Sequence, residues 1–141
     1  MKAWIAREEN GKTYAVRKWL EYPKTYDECC KIIGIEYPVV GGKPDGLSAS
    51  TYGIDEIRPF IYLLICRDAY WKIAGEQMGL GKPWKPSKYE NVYCIFRLKG
   101  DIVKDNFGFG DSLILEFPTE EMRDAFYENF KDLIEKCKKL L

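Results

Sequence analysis

Lys82, Trp84, Lys85, Lys88, Tyr89 and Tyr93 interleave three ammonium groups with three aromatic rings inside one short stretch. Rings offer a flat face on which a nucleobase stacks, and ammonium groups beside them hold its phosphate, so this is the most ligand-like cluster in the chain. The same residues also admit a structural reading. Trp84 and Tyr89 then pin a helix-to-strand connection onto the core while the lysines stay solvated, and both readings stand at this point.

The other candidates are weaker on chemical grounds. Gly41-Gly42-Lys43-Pro44-Asp45-Gly46 has the composition of a phosphate loop. A Walker loop, however, needs its lysine after the last glycine and before a Ser or Thr that starts a helix, whereas Lys43 precedes Pro44 and is held extended. Gly108-Phe109-Gly110-Asp111 lacks the third glycine of a dinucleotide fingerprint and reads as part of a hairpin loop. Glu120, Glu121 and Asp124 could be drawn as metal ligands, but carboxylates gather at a helix start for the dipole alone. No metal site and no cofactor is expected.

The chain contains no histidine. That removes Ser-His and Cys-His nucleophile pairs, His-rich zinc sites and the ordinary general base near neutral pH. Cys29, Cys30, Cys66, Cys94 and Cys137 form an odd set without a Cys-x-x-Cys pair, unlike a disulfide framework or a zinc ribbon, and are expected to be buried apolar groups. With Lys plus Arg equal to Asp plus Glu at 22 each, no global field draws the chain to duplex nucleic acid or anionic lipid. The 141 residues, 46% apolar and without an uncharged apolar run of ~20 residues, read as one soluble globular domain over 1–141 with no membrane span. Met1-Lys2-Ala3-Trp4 leads straight into charged residues, so no secretory signal is expected and the cytoplasm is the simplest address.

The elements that must position these groups follow from local pattern. Asn10-Gly11 predicts a type I′ hairpin between strands Lys2 to Glu8 and Thr13 to Leu20. Thr25-x-x-Glu28 is a capping box whose Thr hydroxyl accepts from the third helical amide and whose Glu returns to the Thr amide. The short helix it starts buries Cys29, Ile32 and Ile33 and ends at Gly34. Residues 37 to 53, rich in glycine and Ser-Ala-Ser-Thr, form the longest loop, either disordered or functional. Ile54 to Leu80 is the strongest helix, its regular part beginning near Pro59, with Trp71, Ile73, Ala74 and Met78 on the inward side and Gly79 and Gly81 ending it.

Tyr89 to Leu98 alternates as a strand, Lys99-Gly100-Asp101 turns, Asp105 to Asp111 is a flexible loop, and Ser112 to Phe117 is the next strand. Thr119 caps a final helix whose stripe is Met122, Phe126, Phe130, Leu133, Cys137 and Leu140. The expected fold class is α+β, an antiparallel sheet built from the N-terminal hairpin and the two C-terminal strands and packed on one face by the long central helix and the C-terminal helix.

Residues 69 to 134 resemble a family of small uncharacterised proteins of phages and integrated mobile elements in Bacteroides-type gut anaerobes. The likeness rests on Tyr70-Trp71-Lys72-Ile73-Ala74, Lys82-Pro83-Trp84-Lys85-Pro86, Lys88-Tyr89, Phe107-Gly108-Phe109-Gly110, and Leu115 to Glu121 leading to Phe130-Lys131-Asp132-Leu133, with Lys24 to Glu28 resembling the family's first helix start. It covers about half the chain and departs in the first 20 residues and in the 37–53 loop. The resemblance implies an origin, and with it a bacterial host cytoplasm, but carries no functional residue across. Without imidazole or a reactive constellation, the expected function is non-catalytic binding of a nucleotide-like molecule, such as a host-defence signal that the protein sequesters. The alternative is a protein-interaction or virion-associated module, with a protein partner or a second copy of the chain as its ligand.

Overall fold

A computed structural model of the chain describes residues 2–9, 11–19, 21–35, 54–87, 90–108 and 113–141. The expected 37–53 loop therefore lies outside the described residues, as do Leu20, Lys88, Tyr89 and residues 109 to 112.

Strands β1 (Lys2–Glu9) and β2 (Lys12–Trp19) pair antiparallel in the register Ile5 to Val16 and Glu9 to Lys12. Gly11 turns the chain with φ 74°, the left-handed conformation that a two-residue hairpin demands. This hairpin is a sheet of its own, not the first half of a single larger sheet.

Helix α1 (Tyr26–Ile33) starts where its cap places it, with Thr25 Oγ1 accepting from the Glu28 amide at 3.2 Å. Glu28 reaches one residue further back than expected and accepts from the Lys24 amide at 2.7 Å. Gly34, at φ 80°, ends the helix, and the Ile35 amide donates to the Cys30 carbonyl at 2.9 Å. Bonds of this kind satisfy carbonyls that a helix end otherwise leaves open.

Helix α2 (Ile54–Met78) begins five residues ahead of Pro59, which occupies its second turn and forgoes the amide bond to Asp55. Leu63, Cys66, Ala69, Tyr70, Ile73 and Ala74 are buried on α2 and join the main core. Met78, expected inward, is 44% exposed, because the buried stripe stops one turn earlier. Both bonds of a Schellman motif close the helix, Gly79 N to Glu76 O at 3.2 Å and Leu80 N to Gly75 O at 2.9 Å.

The second sheet is antiparallel with order β4-β3-β5, from β3 (Asn91–Leu98), β4 (Asp101–Gly108) and β5 (Leu115–Phe117). Lys99 and Gly100, at φ 52° and 88°, make the two-residue turn. β4 occupies most of what the sequence reads as a flexible loop. Its only apolar pair ahead of Phe107 is Ile102-Val103, both half-buried, so the ladder to β3 rather than a buried face specifies it. β5 is half the expected length. Ile95 is buried along with Val92 and Cys94, so the alternation along β3 is imperfect.

Thr119 Oγ1 accepts from the Met122 amide at 3.2 Å and starts helix α3 (Glu120–Asn129). The expected single helix then breaks at Phe130 (φ −124°, ψ 25°), resumes as α4 (Lys131–Lys136), and ends in a 3₁₀ turn over Lys138–Leu140. The break makes Ile134 the fully buried residue while Leu133 is half-buried and Leu140 exposed. Tyr70 explains why the chain turns there. Its hydroxyl donates to the Pro23 carbonyl at 2.8 Å and accepts from Asn129 Nδ2 at 3.0 Å, and its ring meets Phe126 edge-on at 5.0 Å and Phe130 at 5.9 Å.

The architecture is α+β, with α3 packed against β3 and β5 and α2 against α1 and α4. No helix among the described residues is long and apolar enough to cross a membrane.

All five cysteines are free and buried. The Cys66 thiol and burial push the Cys29 thiol well above its ordinary range, and burial pushes Cys137 up to about 11. Thiolate is the reactive species, so native protein at pH 8 is expected to react with a disulfide reagent at least ~100-fold more slowly than unfolded protein. Counting released reporter before and after denaturant checks this; prompt labelling of the native chain would contradict the burial.

Candidate functional site

The connection from α2 to β3 doubles back along the helix that precedes it. Gly75 makes this possible, since an added Cβ would lie 2.0 Å from the Lys82 carbonyl oxygen and 3.0 Å from Pro83 Cα. The Trp84 amide donates to the Trp71 carbonyl at 2.9 Å, and the two indoles meet edge to face at 5.8 Å. Trp84 is 3% exposed and belongs to the main core. Its ring is a fastener, with no face left for a ligand.

Two clefts flank the fastened segment. The larger, about 450 Å³, lies between the end of α1, the middle of α2 and the segment, and is lined by Ile33, Arg67, Asp68, Trp71, Lys72, Pro83 and Lys85. The smaller, about 350 Å³, adds Met78, Leu80, Lys82, Ser87 and Glu90 around Pro83, Trp84 and Lys85. Both fall within or near the ~300 to 1,000 Å³ of ordinary ligand pockets.

Charge in the larger cleft is arranged unevenly. Arg67 lies 4.1 Å over the Trp71 ring, and Asp68 Oδ1 accepts from its Nε at 3.0 Å and its Nη2 at 2.8 Å. Its Nη1 donates to the Ile114 carbonyl at 3.2 Å, while Trp71 Nε1 donates to the Glu116 carbonyl at 2.7 Å. Indole and guanidinium thus form a fixed flat wall tied to the strand region. Lys72 Nζ donates to the Ile32 carbonyl at 2.6 Å, in the last turn of α1. Lys85 is exposed and has no partner among the described residues. Asp68 offsets Arg67, so among the described lining residues Lys72 and Lys85 leave two unbalanced positive charges.

Of the residues the sequence singles out, the structure brings Lys82, Trp84 and Lys85 together and places only Lys85 in the larger cleft. Lys88 and Tyr89 lie outside the described residues. Tyr93 is half-buried on β3, lines neither cleft, and has the Arg123 guanidinium 5.7 Å from its ring centre. Sequence reasoning missed Arg67, Asp68, Trp71 and Lys72. The signal was present as a charged pair, Arg67-Asp68, directly after the apolar run Phe60 to Cys66, with Trp71 one turn beyond Arg67.

Glu120 and Asp124 pair with a cation. Arg123, 6% exposed, holds Glu120 Oε1 at 3.1 Å and Asp124 Oδ1 at 2.9 Å, and Lys104 reaches Asp124 at 3.3 Å. Among the described residues no three Asp, Glu or Cys side chains converge on a point where a metal could sit. Partial burial works against the Asp124 carboxylate, but Arg123 and Lys104 outweigh it and hold its pKa below the usual value. A depressed folded-state pKa means stability that is fully present above the unfolded value of about 3.9 and lost as pH falls through the lower folded one. Because Asp124 is 41% exposed, the contribution is screened to about 1 kcal/mol or less. Asp124→Asn is therefore expected to destabilise slightly at pH 7 and not at pH 2, in urea titrations; an equal cost at both pH values would contradict the pairing.

Comparison with family models, with curated proteins and with solved structures finds no match to this chain.

Proposed function

We propose that this chain is a non-catalytic binding protein of phage or mobile-element origin that holds a nucleotide-like molecule, and so withdraws a host signalling compound from its receptor. The observation that carries the reading is the larger cleft, in which a fixed indole–guanidinium wall stands beside two ammonium groups, and the one carboxylate among its described lining residues, Asp68, is engaged by Arg67. A flat wall suits a base and an excess of ammonium charge suits phosphate. The origin rests on the resemblance over residues 69 to 134 alone.

Ligands that bind only the native state raise its stability by about 2.7 kcal/mol at a hundredfold excess over Kd. A panel of mononucleotides, cyclic dinucleotides and ADP-ribose derivatives is therefore expected to contain members that raise the melting temperature by several degrees, with the rise lost in Lys72→Met/Lys85→Met. A flat panel would sink the reading. A second reading, a protein-interaction module, is favoured by Met78 and Leu80, 44% and 42% exposed beside the smaller cleft. It gains if the panel is flat and sedimentation shows self-association that Met78→Ser abolishes.

A further inference from the structure

We infer that the larger cleft takes a mononucleotide with a terminal phosphate monoester, clamped as a dianion between Lys72 and Lys85; this rests on the ligand-binding reading above. Lys72 spends one ammonium donor on the Ile32 carbonyl, which fixes its position and leaves two donors for a ligand oxygen. Lys85, on the segment that runs back along α2, lines the same cleft and has all three of its donors unengaged among the described residues. Arg67 spends three of its five N–H donors on Asp68 and the Ile114 carbonyl and its charge is offset by Asp68, so it is held in place and its role is to present a flat surface.

Two unpaired positive charges match one doubly charged phosphate. A cyclic dinucleotide would instead bring two singly charged phosphates on either side of a large ring. The volume argues the same way, since about 450 Å³ equals roughly fifteen water volumes at ~30 Å³ each, room for one base, sugar and phosphate. Asp68 adds selectivity. Both Arg67 bonds fall on Oδ1, so Oδ2 remains to accept from an exocyclic amine or a ribose hydroxyl at the cleft wall.

The dianion has a signature that this chain reports cleanly. A phosphate monoester gains its second charge with a pKa of about 6. The charged groups lining the cleft are Arg67, Asp68, Lys72 and Lys85. Histidine is the side chain that ordinarily titrates in this interval, and the chain has none. A pH dependence between 5.5 and 7.5 then belongs to the ligand.

The test is calorimetric titration of the full chain with the four common 5′-ribonucleoside monophosphates, the matching nucleosides and the 3′,5′-cyclic monophosphates. At least one monophosphate is expected to bind, its affinity falling about fourfold from pH 7.5 to 5.5 as the dianion is lost. The cyclic form, a monoanion, should bind more weakly at pH 7.5 and show no such fall. Lys72→Met and Lys85→Met should each weaken the monophosphate about tenfold, the scale of one charge-assisted hydrogen bond. Should Lys72→Met unfold the chain by losing its bond to α1, the exposed Lys85→Met still decides. Equal binding of nucleoside and monophosphate, a pH-flat affinity, or binding confined to dinucleotides would overturn the clamp while leaving a ligand-binding cleft. Silence from these probes and from the wider panel would remove both.

Discussion

Trp84→Ala is expected to lower the unfolding free energy by about 3 to 5 kcal/mol, the range for deleting a buried aromatic side chain. For a chain of this length that is a fall on the order of 10 to 20 °C in melting temperature. The reason is geometric. Trp84 is 3% exposed, meets Trp71 edge-on at 5.8 Å, and anchors the segment whose amide donates to the Trp71 carbonyl. Removing it leaves a hole under the connection and loosens the wall that carries Pro83 and Lys85. A stacking role would give the opposite pattern, with melting unchanged and ligand response lost. Thermal melts of Trp84→Ala beside Trp84→Phe separate the two, since the phenyl ring is expected to recover most of the packing.

Gly75→Ala pits two effects against each other, and magnitudes decide between them. Alanine in a helix interior is worth about 1 kcal/mol over glycine, which by itself predicts a more stable protein. The new Cβ, however, would stand 2.0 Å from the Lys82 carbonyl oxygen and 2.9 Å from its carbon, and both are backbone atoms that no rotamer change can move. Overpacking of this kind costs about 1 to 3 kcal/mol or more, and at so short a distance the larger values apply, so a net loss is expected. The segment must lift from the helix, which displaces Pro83 and Lys85 and should abolish any ligand-induced rise in melting temperature. A variant more stable than the parent in urea would disprove the close approach on which the cleft depends.

Features that depend on neighbours three to five residues apart are legible in the sequence itself. Thr25 and Thr119 are readable as caps, Gly34 and Gly79 as helix ends, and Asn10-Gly11 as a hairpin turn, because each bond involved spans a few residues. The burial of the cysteines follows in the same way from residue chemistry and the lack of metal-ligand spacing. Strand β4 is hidden because, Phe107 apart, its only apolar residues are Ile102 and Val103 and its ladder is specified from β3. The break at Phe130 is hidden because the apolar stripe runs on through it, while Asn129 is held by Tyr70, 59 residues away.

The sequence alone determined an α+β chain with capped helices, no imidazole and no net charge, and it drew attention to the lysines and rings around Trp84. Only the tertiary structure decided that Trp84 is packing and that the cleft is made from Arg67, Asp68, Trp71, Lys72 and Lys85. The bonds that orient this wall, Trp71 to Glu116 and Lys72 to Ile32, join residues 45 and 40 apart. No local pattern encodes them, since which face of a buried helix meets solvent is set by what the rest of the chain leaves uncovered.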